Sequence, residues 1–159
     1  PNPVLFFEHK ALYRTVKQDV PKNYYTTPLG KASLLKQGNH ISVISYGAAV
    51  HWAIDIIDKH NNIKADVIDL RTLCPLDMDT IYNSVKKTGK VIILQEDSMF
   101  GGIASDIAAS IMEQCFNYLD APVKRVAGLN TPIPFAKQLE NEYLPKRRFE
   151  KELINLVNY

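Results

Sequence analysis

The residues able to do chemistry in this 159-residue chain are dispersed rather than clustered. His9, His40, His51 and His60 form no His-x-x-x-His pair, and Cys74 and Cys115 lie far apart with no histidine near them. A zinc site needs such ligands at close, regular spacing, so no metal centre is expected. No G-x-S-x-G elbow is present to expose a serine nucleophile. In open α/β sheets, ligands collect at the carboxyl ends of parallel strands. The residues expected there are Tyr46-Gly47, Asp69-Leu70-Arg71, Glu96-Asp97 and Gly128-Leu129-Asn130. A dinucleotide site would place G-x-G-x-x-G at the first of these turns, because the backbone must approach the pyrophosphate closely. Tyr46-Gly47-Ala48-Ala49-Val50 offers a single glycine, and no G-x-x-x-x-G-K-[ST] occurs. A phosphoacceptor domain would need acidic residues clustered after the first strand to hold a divalent cation. Here the acidic pair Glu96-Asp97 follows the third, and helix capping or an interface contact is its expected use. Gly101-Gly102 opens a helix whose free N–H groups could hold an anion, but close strand–helix packing is the simpler reading. His51 is expected on a polar stripe or at a subunit interface. A chain so empty of catalytic constellations reads as part of an enzyme.

These residues sit on a regular alternation of strands and helices. Ile41–Tyr46 is a β-branched run closed by Gly47, and Ala48–His60 carries its polar residues His51, Asp55, Asp58 and Lys59 on one narrow helical stripe. The run Ala65–Leu70 leads through Pro75 to a helix with Asp77 as N-cap and Met78, Ile81 and Val85 on one face. Lys86 and Lys87 lie in its last turn and Gly89 follows it. Val91–Gln95 is the third strand, and its helix repeats Ile103, Ile107, Ile111, Cys115 and Leu119. The fourth strand is Val123–Ala127. A short helix around Lys137–Glu142 follows, then a last helix over Lys146–Val157 with Phe149, Leu153, Leu156 and Val157 on its apolar face. Strand–helix alternation of this kind predicts right-handed βαβ units and a mostly parallel sheet covered on both sides. Lys31–Lys36 adds a short edge strand. Residues 13–30, with Pro21 and Pro28, read as an interdomain linker, and residues 4–8 as the last strand of a preceding domain. The expected division is therefore residues 1–30 as strand plus linker and residues 31–159 as one α/β domain. The start at Pro1 without Met reads as a cut inside a longer polypeptide.

Composition adds few constraints. Apolar residues at 46% and charged residues at 23% suit an ordinary globular domain, and a net charge of +2 points to no particular partner. Neither nucleic acid nor a membrane is expected as a partner, since basic residues are scattered and no apolar run approaches a membrane span. The dense run Lys146-Arg147-Arg148 precedes Glu150 and Glu152 and is expected to form a solvated face with i,i+4 pairs. Two widely separated cysteines read as reduced, intracellular thiols.

Several segments match a known pattern. Phe6-Phe7-Glu8-His9-Lys10-Ala11-Leu12-Tyr13-Arg14 resembles the F-x-E-x-K-x-L-Y-R segment that closes the pyrimidine-binding domain in β subunits of thiamine-diphosphate-dependent 2-oxo acid dehydrogenases. Pro28-Leu29-Gly30-Lys31-Ala32 and Tyr46-Gly47-Ala48-Ala49-Val50-His51 are similar to the family's P-L-G-x-A and Y-G-x-x-V-H. Val67-Ile68-Asp69-Leu70-Arg71-Thr72-Leu73-Cys74-Pro75-Leu76-Asp77 resembles its V-I-D-L-R-T-x-x-P-L-D. Ala121-Pro122-Val123-Lys124-Arg125-Val126 and Thr131-Pro132-Ile133-Pro134 extend the similarity over essentially the whole chain.

The resemblance implies a transketolase C-terminal-like domain: three α/β/α layers around a five-strand sheet, with the edge strand near Ala32–Lys36 antiparallel to the other four. It implies oxidative decarboxylation of a 2-oxo acid and acyl transfer to lipoyl groups in the complete enzyme, with branched-chain acids such as 2-oxoisovalerate favoured over pyruvate. Thiamine diphosphate and Mg would be held outside these residues, so no catalytic, cofactor or metal ligand is carried onto this chain. The implied role is assembly with the α part, a second β copy and the dihydrolipoyl acyltransferase core. Asn158 and Tyr159 match the family's terminal residues, whose α-carboxylate faces a small basic binding domain of that core. The implied location is the cytoplasm of a bacterium, or the mitochondrial matrix of a eukaryote.

Overall fold

Five runs of the sequence pair into one sheet. In a computed structural model describing residues 2–159, these are β1 (Ser33–Lys36), β2 (Ile41–Ser45), β3 (Ala65–Asp69), β4 (Val91–Ser98) and β5 (Lys124–Gly128). Their order is β1-β3-β2-β4-β5. Parallel pairing joins β3 to β2, β2 to β4 and β4 to β5, whereas β1 runs antiparallel to β3, with Ser33 opposite Asp69. All five residues of the central β2 are buried, as a strand covered on both faces requires.

Side-chain alternation divides the core in two. Val43, Val67, Ile92 and Leu94 point to one face, where Ala49, Ala53 and Ile56 of α2 (Ala48–Ile57) meet Phe149, Leu153 and Leu156 of α6 (Lys146–Val157). Their strand neighbours Ile44, Ile68, Val91 and Ile93 point the other way. There they pack on Ile81 and Val85 of α3 (Met78–Thr88) and on Ile107, Ile111 and Cys115 of α4 (Ala104–Cys115). Period-two alternation on each strand thus fixes which helices lie above and below. The three-layer α/β/α fold with one antiparallel edge strand is the one expected.

Local differences have local causes. β4 runs on through Ser98, so Glu96 and Asp97 lie within the strand rather than after it. Past a register shift, Ser98 pairs with Gly128, and Met99 N–H donates to the Gly128 carbonyl. α2 stops at Ile57, because Lys59 and His60 close tighter bonds to Ile56 and Ile57. Residues expected as a linker contain one short turn of helix, α1 (Leu12–Thr15). Val4, Leu5, Phe6 and Phe7 form no strand here, and each is at least 75% exposed. α5 (Lys137–Tyr143) joins β5 to α6, and no helix among the described residues is long and apolar enough to cross a membrane.

Candidate functional site

The helices return antiparallel to the strands, so the molecule has a carboxyl pole and an amino pole. At the carboxyl pole, Glu96 Oε2 lies 3.0 Å from His9 Nε2, which ties the amino-terminal segment to β4. Tyr46 stands at the end of β2. Burial first, then the charges of Asp97 and Glu96, push its phenol pKa above the usual value. Arg71 takes a left-handed φ of 57° at the end of β3, held by its own N–H donating to Asp69 Oδ1 at 3.0 Å.

The amino end of α4 is the place where an anion could be expected. It is already occupied by protein. Ala104 N–H donates to Gln95 Oε1 at 2.9 Å, and Gln95 Nε2 donates to the Ser98 carbonyl at 2.7 Å. A Cβ on Gly102 would collide with that same fully buried amide. The glycine pair therefore serves close packing at Gly102. The first N–H of α4 is therefore already satisfied within the protein.

Histidines pair singly with neighbours. His60 Nε2 lies 2.9 Å from Glu150 Oε1, and His40 Nδ1 accepts from Lys64 N–H at 3.2 Å. His51 is half-buried on α2. No group of three or more His, Cys, Asp or Glu residues placed to hold a metal ion occurs among the described residues. Cys74 is exposed and Cys115 buried, the latter with its thiol pKa raised by burial against a smaller lowering from Lys86.

The basic run at the start of α6 does not form the i,i+4 pairs expected of it. Arg148 donates to three backbone carbonyls, those of Glu142 at 2.7 Å, Ala127 at 2.8 Å and Tyr143 at 2.8 Å. Arg147 pairs with Glu142 at 2.8 Å, and Lys146 lies over the Trp52 ring. Glu150 and Glu152 are engaged elsewhere, with His60 and Lys124. The run is a clamp on the α5–α6 corner, and only its sequence neighbours suggested otherwise.

Asn158 and Tyr159, the residues expected to meet a partner, lie together at the amino pole and are exposed, Tyr159 by 74%. α6 brings them there: its start bonds to Ala127 near the end of β5, and its last turn reaches Lys90, just before β4. Lys90 Nζ donates to the Val157 carbonyl at 3.0 Å. Behind Lys90 runs a buried polar chain that no local motif announced. Asp66, 1% exposed, accepts from Gly38 N–H at 2.9 Å, Lys87 Nζ at 2.6 Å and Ser84 Oγ at 2.6 Å. Ser42 Oγ then contacts Ser84 Oγ at 2.6 Å and Thr88 Oγ1 at 2.7 Å, and Thr88 reaches the Lys90 carbonyl at 3.1 Å. Three hydroxyl protons serve four contacts, so one contact lacks a proton at any instant. The carboxyl pole carries the contrasting surface, with Phe100 84%, Ile133 68% and Phe135 103% exposed.

The sequence matches the family described as "Transketolase, C-terminal domain" over residues 30–148. It is 44% identical over 90% of its length to the 2-oxoisovalerate dehydrogenase subunit beta of Bacillus subtilis, covering 45% of that protein. It is 42% identical over 98% of its length to the pyruvate dehydrogenase E1 component subunit beta of Rickettsia bellii, covering 47% of that protein. The chain thus spans about half the length of these curated relatives. Among solved structures, a split-gene transketolase described as an inactive beta4 tetramer superposes with a TM-score of 0.72 at 23% identity. That match covers 87% of this chain and 47% of the other, and it shows the same fold. Sheet order, the antiparallel edge strand and the family match agree: the chain belongs to the transketolase C-terminal domain family, and β subunits of 2-oxo acid dehydrogenases are among its relatives.

Proposed function

We propose that this chain is the C-terminal assembly domain of the β part of a thiamine-diphosphate-dependent 2-oxo acid dehydrogenase, the decarboxylating component of a 2-oxo acid dehydrogenase complex. The observation that carries this reading is the 44% identity to a 2-oxoisovalerate dehydrogenase β subunit across 90% of the chain. In the parent enzyme, a 2-oxo acid loses carbon dioxide on thiamine diphosphate with Mg, and the acyl group passes to a lipoyl group. In this reading that chemistry belongs to the rest of the parent enzyme, and the share of this domain is assembly. Its partners are the α part, a second β copy and the dihydrolipoyl acyltransferase core. The Tyr159 α-carboxylate meets a basic binding domain of that core, a contact suited to specificity and rapid association. The site of action is the cytoplasm in a bacterium or the mitochondrial matrix in a eukaryote.

Branched-chain acids such as 2-oxoisovalerate are the proposed substrates, supported by the likeness of Phe6–Arg14 and Asn158-Tyr159 to that subgroup. Pyruvate is the second reading, favoured by the 44% identity to the pyruvate dehydrogenase E1 component subunit beta of Bacillus subtilis. The complete protein, assembled with its α part and thiamine diphosphate, is expected to favour 2-oxoisovalerate over pyruvate by about tenfold or more in kcat/KM. The residues 1–159 alone are expected to turn over neither. A preference for pyruvate replaces the first reading by the second. No thiamine-dependent turnover of any 2-oxo acid by the complete protein would reduce this domain to a free-standing interaction module.

A further inference from the structure

We infer that Lys90 is the positioning residue for the carboxyl-terminal segment Val157–Tyr159, and through it for docking at the amino pole. The inference rests on the docking reading of Tyr159 above. The last carbonyls of a helix have no partner within it, and a cation placed there both bonds them and suits the dipole. Lys90 does this across 67 residues of sequence, its ammonium donating to the Val157 carbonyl at 3.0 Å. Beyond that point the segment has little of its own to hold it. Asn158 N–H reaches Ile154 at 3.3 Å, Tyr159 N–H reaches Leu156 at 3.4 Å, and both residues are exposed.

Lys90 is itself a fixed point. Its carbonyl accepts from Ser42 N–H at 2.8 Å and from Thr88 Oγ1 at 3.1 Å, which joins it to the buried Asp66 chain. It follows Gly89, the left-handed residue that ends α3, and precedes the first residue of a fully buried strand segment. The lysine thus transmits the rigidity of the sheet's amino end to a segment that has few other bonds to hold it. A pre-ordered segment meets a partner without first losing that freedom, which favours affinity and slow dissociation.

The test uses the complete protein assembled with its α part, and the isolated basic binding domain of its own acyltransferase core as the probe. Lys90→Met keeps the aliphatic stem and removes the donor; Lys90→Arg keeps a cation. Amide hydrogen exchange at Asn158 and Tyr159 is expected to quicken about tenfold in K90M, with docking weakened by about the same factor and both largely restored in K90R. In a protein lacking residues 158–159, K90M is expected to change docking no further. Unchanged exchange in K90M overturns the inference. So does an equal loss of affinity in the shortened protein, since Lys90 would then act by its own charge. If shortening leaves docking intact, the docking reading falls, and the exchange measurement alone decides whether Lys90 holds the segment.

Discussion

At Asp77 one carboxylate holds the start of a helix and the approach to an edge strand together. Oδ1 accepts from Thr80 N–H at 3.3 Å and caps α3, while Oδ2 accepts from Thr80 Oγ1 at 2.9 Å and from Ala32 N–H at 3.0 Å. Burial raises its pKa, but the hydrogen bonds from Ala32 and Thr80, with the charge of Lys31, outweigh it and leave the group below its usual 3.8. A carboxyl whose folded pKa lies below its unfolded one stabilises the protein above the ordinary carboxylate range. That contribution is lost as the pH falls through the folded value. Asp77→Ala is expected to cost about 2 kcal/mol at neutral pH, through a lost cap and an unpaired Ala32 N–H. Urea curves should show the gap to wild type narrowing in the acid range. A gap that stays constant there would mean the lost packing, not the charge, sets the cost. Gly102 makes the complementary case for shape. Gly102→Ala is expected to cost about 1–3 kcal/mol, because the Gln95 amide it would strike is fully buried and bonded on both sides. Wild-type stability in that variant would show that the amide can move aside.

Elements with a one-sided apolar face are the ones the sequence makes plain. Lys146–Val157 is helical over its whole expected span, because Phe149, Leu153 and Leu156 recur at helical spacing and all three are buried. Asp77 and Gly89 mark the ends of α3 by local chemistry, and both act as expected. The direction of β1 has no such signal: its residues are half-exposed or exposed without alternation, and only the family resemblance oriented it. The overrun of β4 to Ser98 depends on Gly128, a partner 30 residues on, which no local pattern contains. The same holds for Arg148, whose three carbonyls come from Ala127 in β5 and from Glu142 and Tyr143 at the end of α5. Arg148→Met keeps much of the stem and removes the donors, leaving the Ala127 and Tyr143 carbonyls to find water. A loss of about 1–3 kcal/mol is expected, concentrated at the α5–α6 corner. Limited proteolysis should then cut faster between residues 129 and 145. An unchanged pattern would mean that the apolar contacts of buried Tyr143 hold the corner without the arginine.

Across the whole molecule, the surfaces at the two poles differ in kind. The amino pole is polar and tightly bonded, from the Asp66 chain through Lys90 to the exposed terminal residues. The carboxyl pole leaves aromatic and aliphatic side chains in water, and the Phe100 N–H bonded to Asn130 Oδ1 at 2.9 Å joins its two loops. This division was hidden in the sequence, because helix α6 and strand β4 must be assembled before Lys90 and Val157 meet. Phe100 and Phe135 lie in loops with no periodic pattern, so only the assembled fold shows that both rings are left outside. Two rings exposed by 84% and 103% contribute nothing to the core, so replacing Phe100 and Phe135 by Ser together should leave folding stability within about 0.5 kcal/mol. If the carboxyl pole faces the rest of the parent enzyme, the same change removes two large apolar side chains from an interface. Burying a phenylalanine is worth about 1.5–3 kcal/mol, enough for the pair to weaken assembly by two orders of magnitude or more. Thermal unfolding and sedimentation of the complete protein with the α part proposed for it separate these two effects. The expected result is an unchanged melting point with a shift toward smaller species. Sedimentation like the wild type's at every concentration would place these rings in solvent in the assembled enzyme and leave the amino pole as the contact surface.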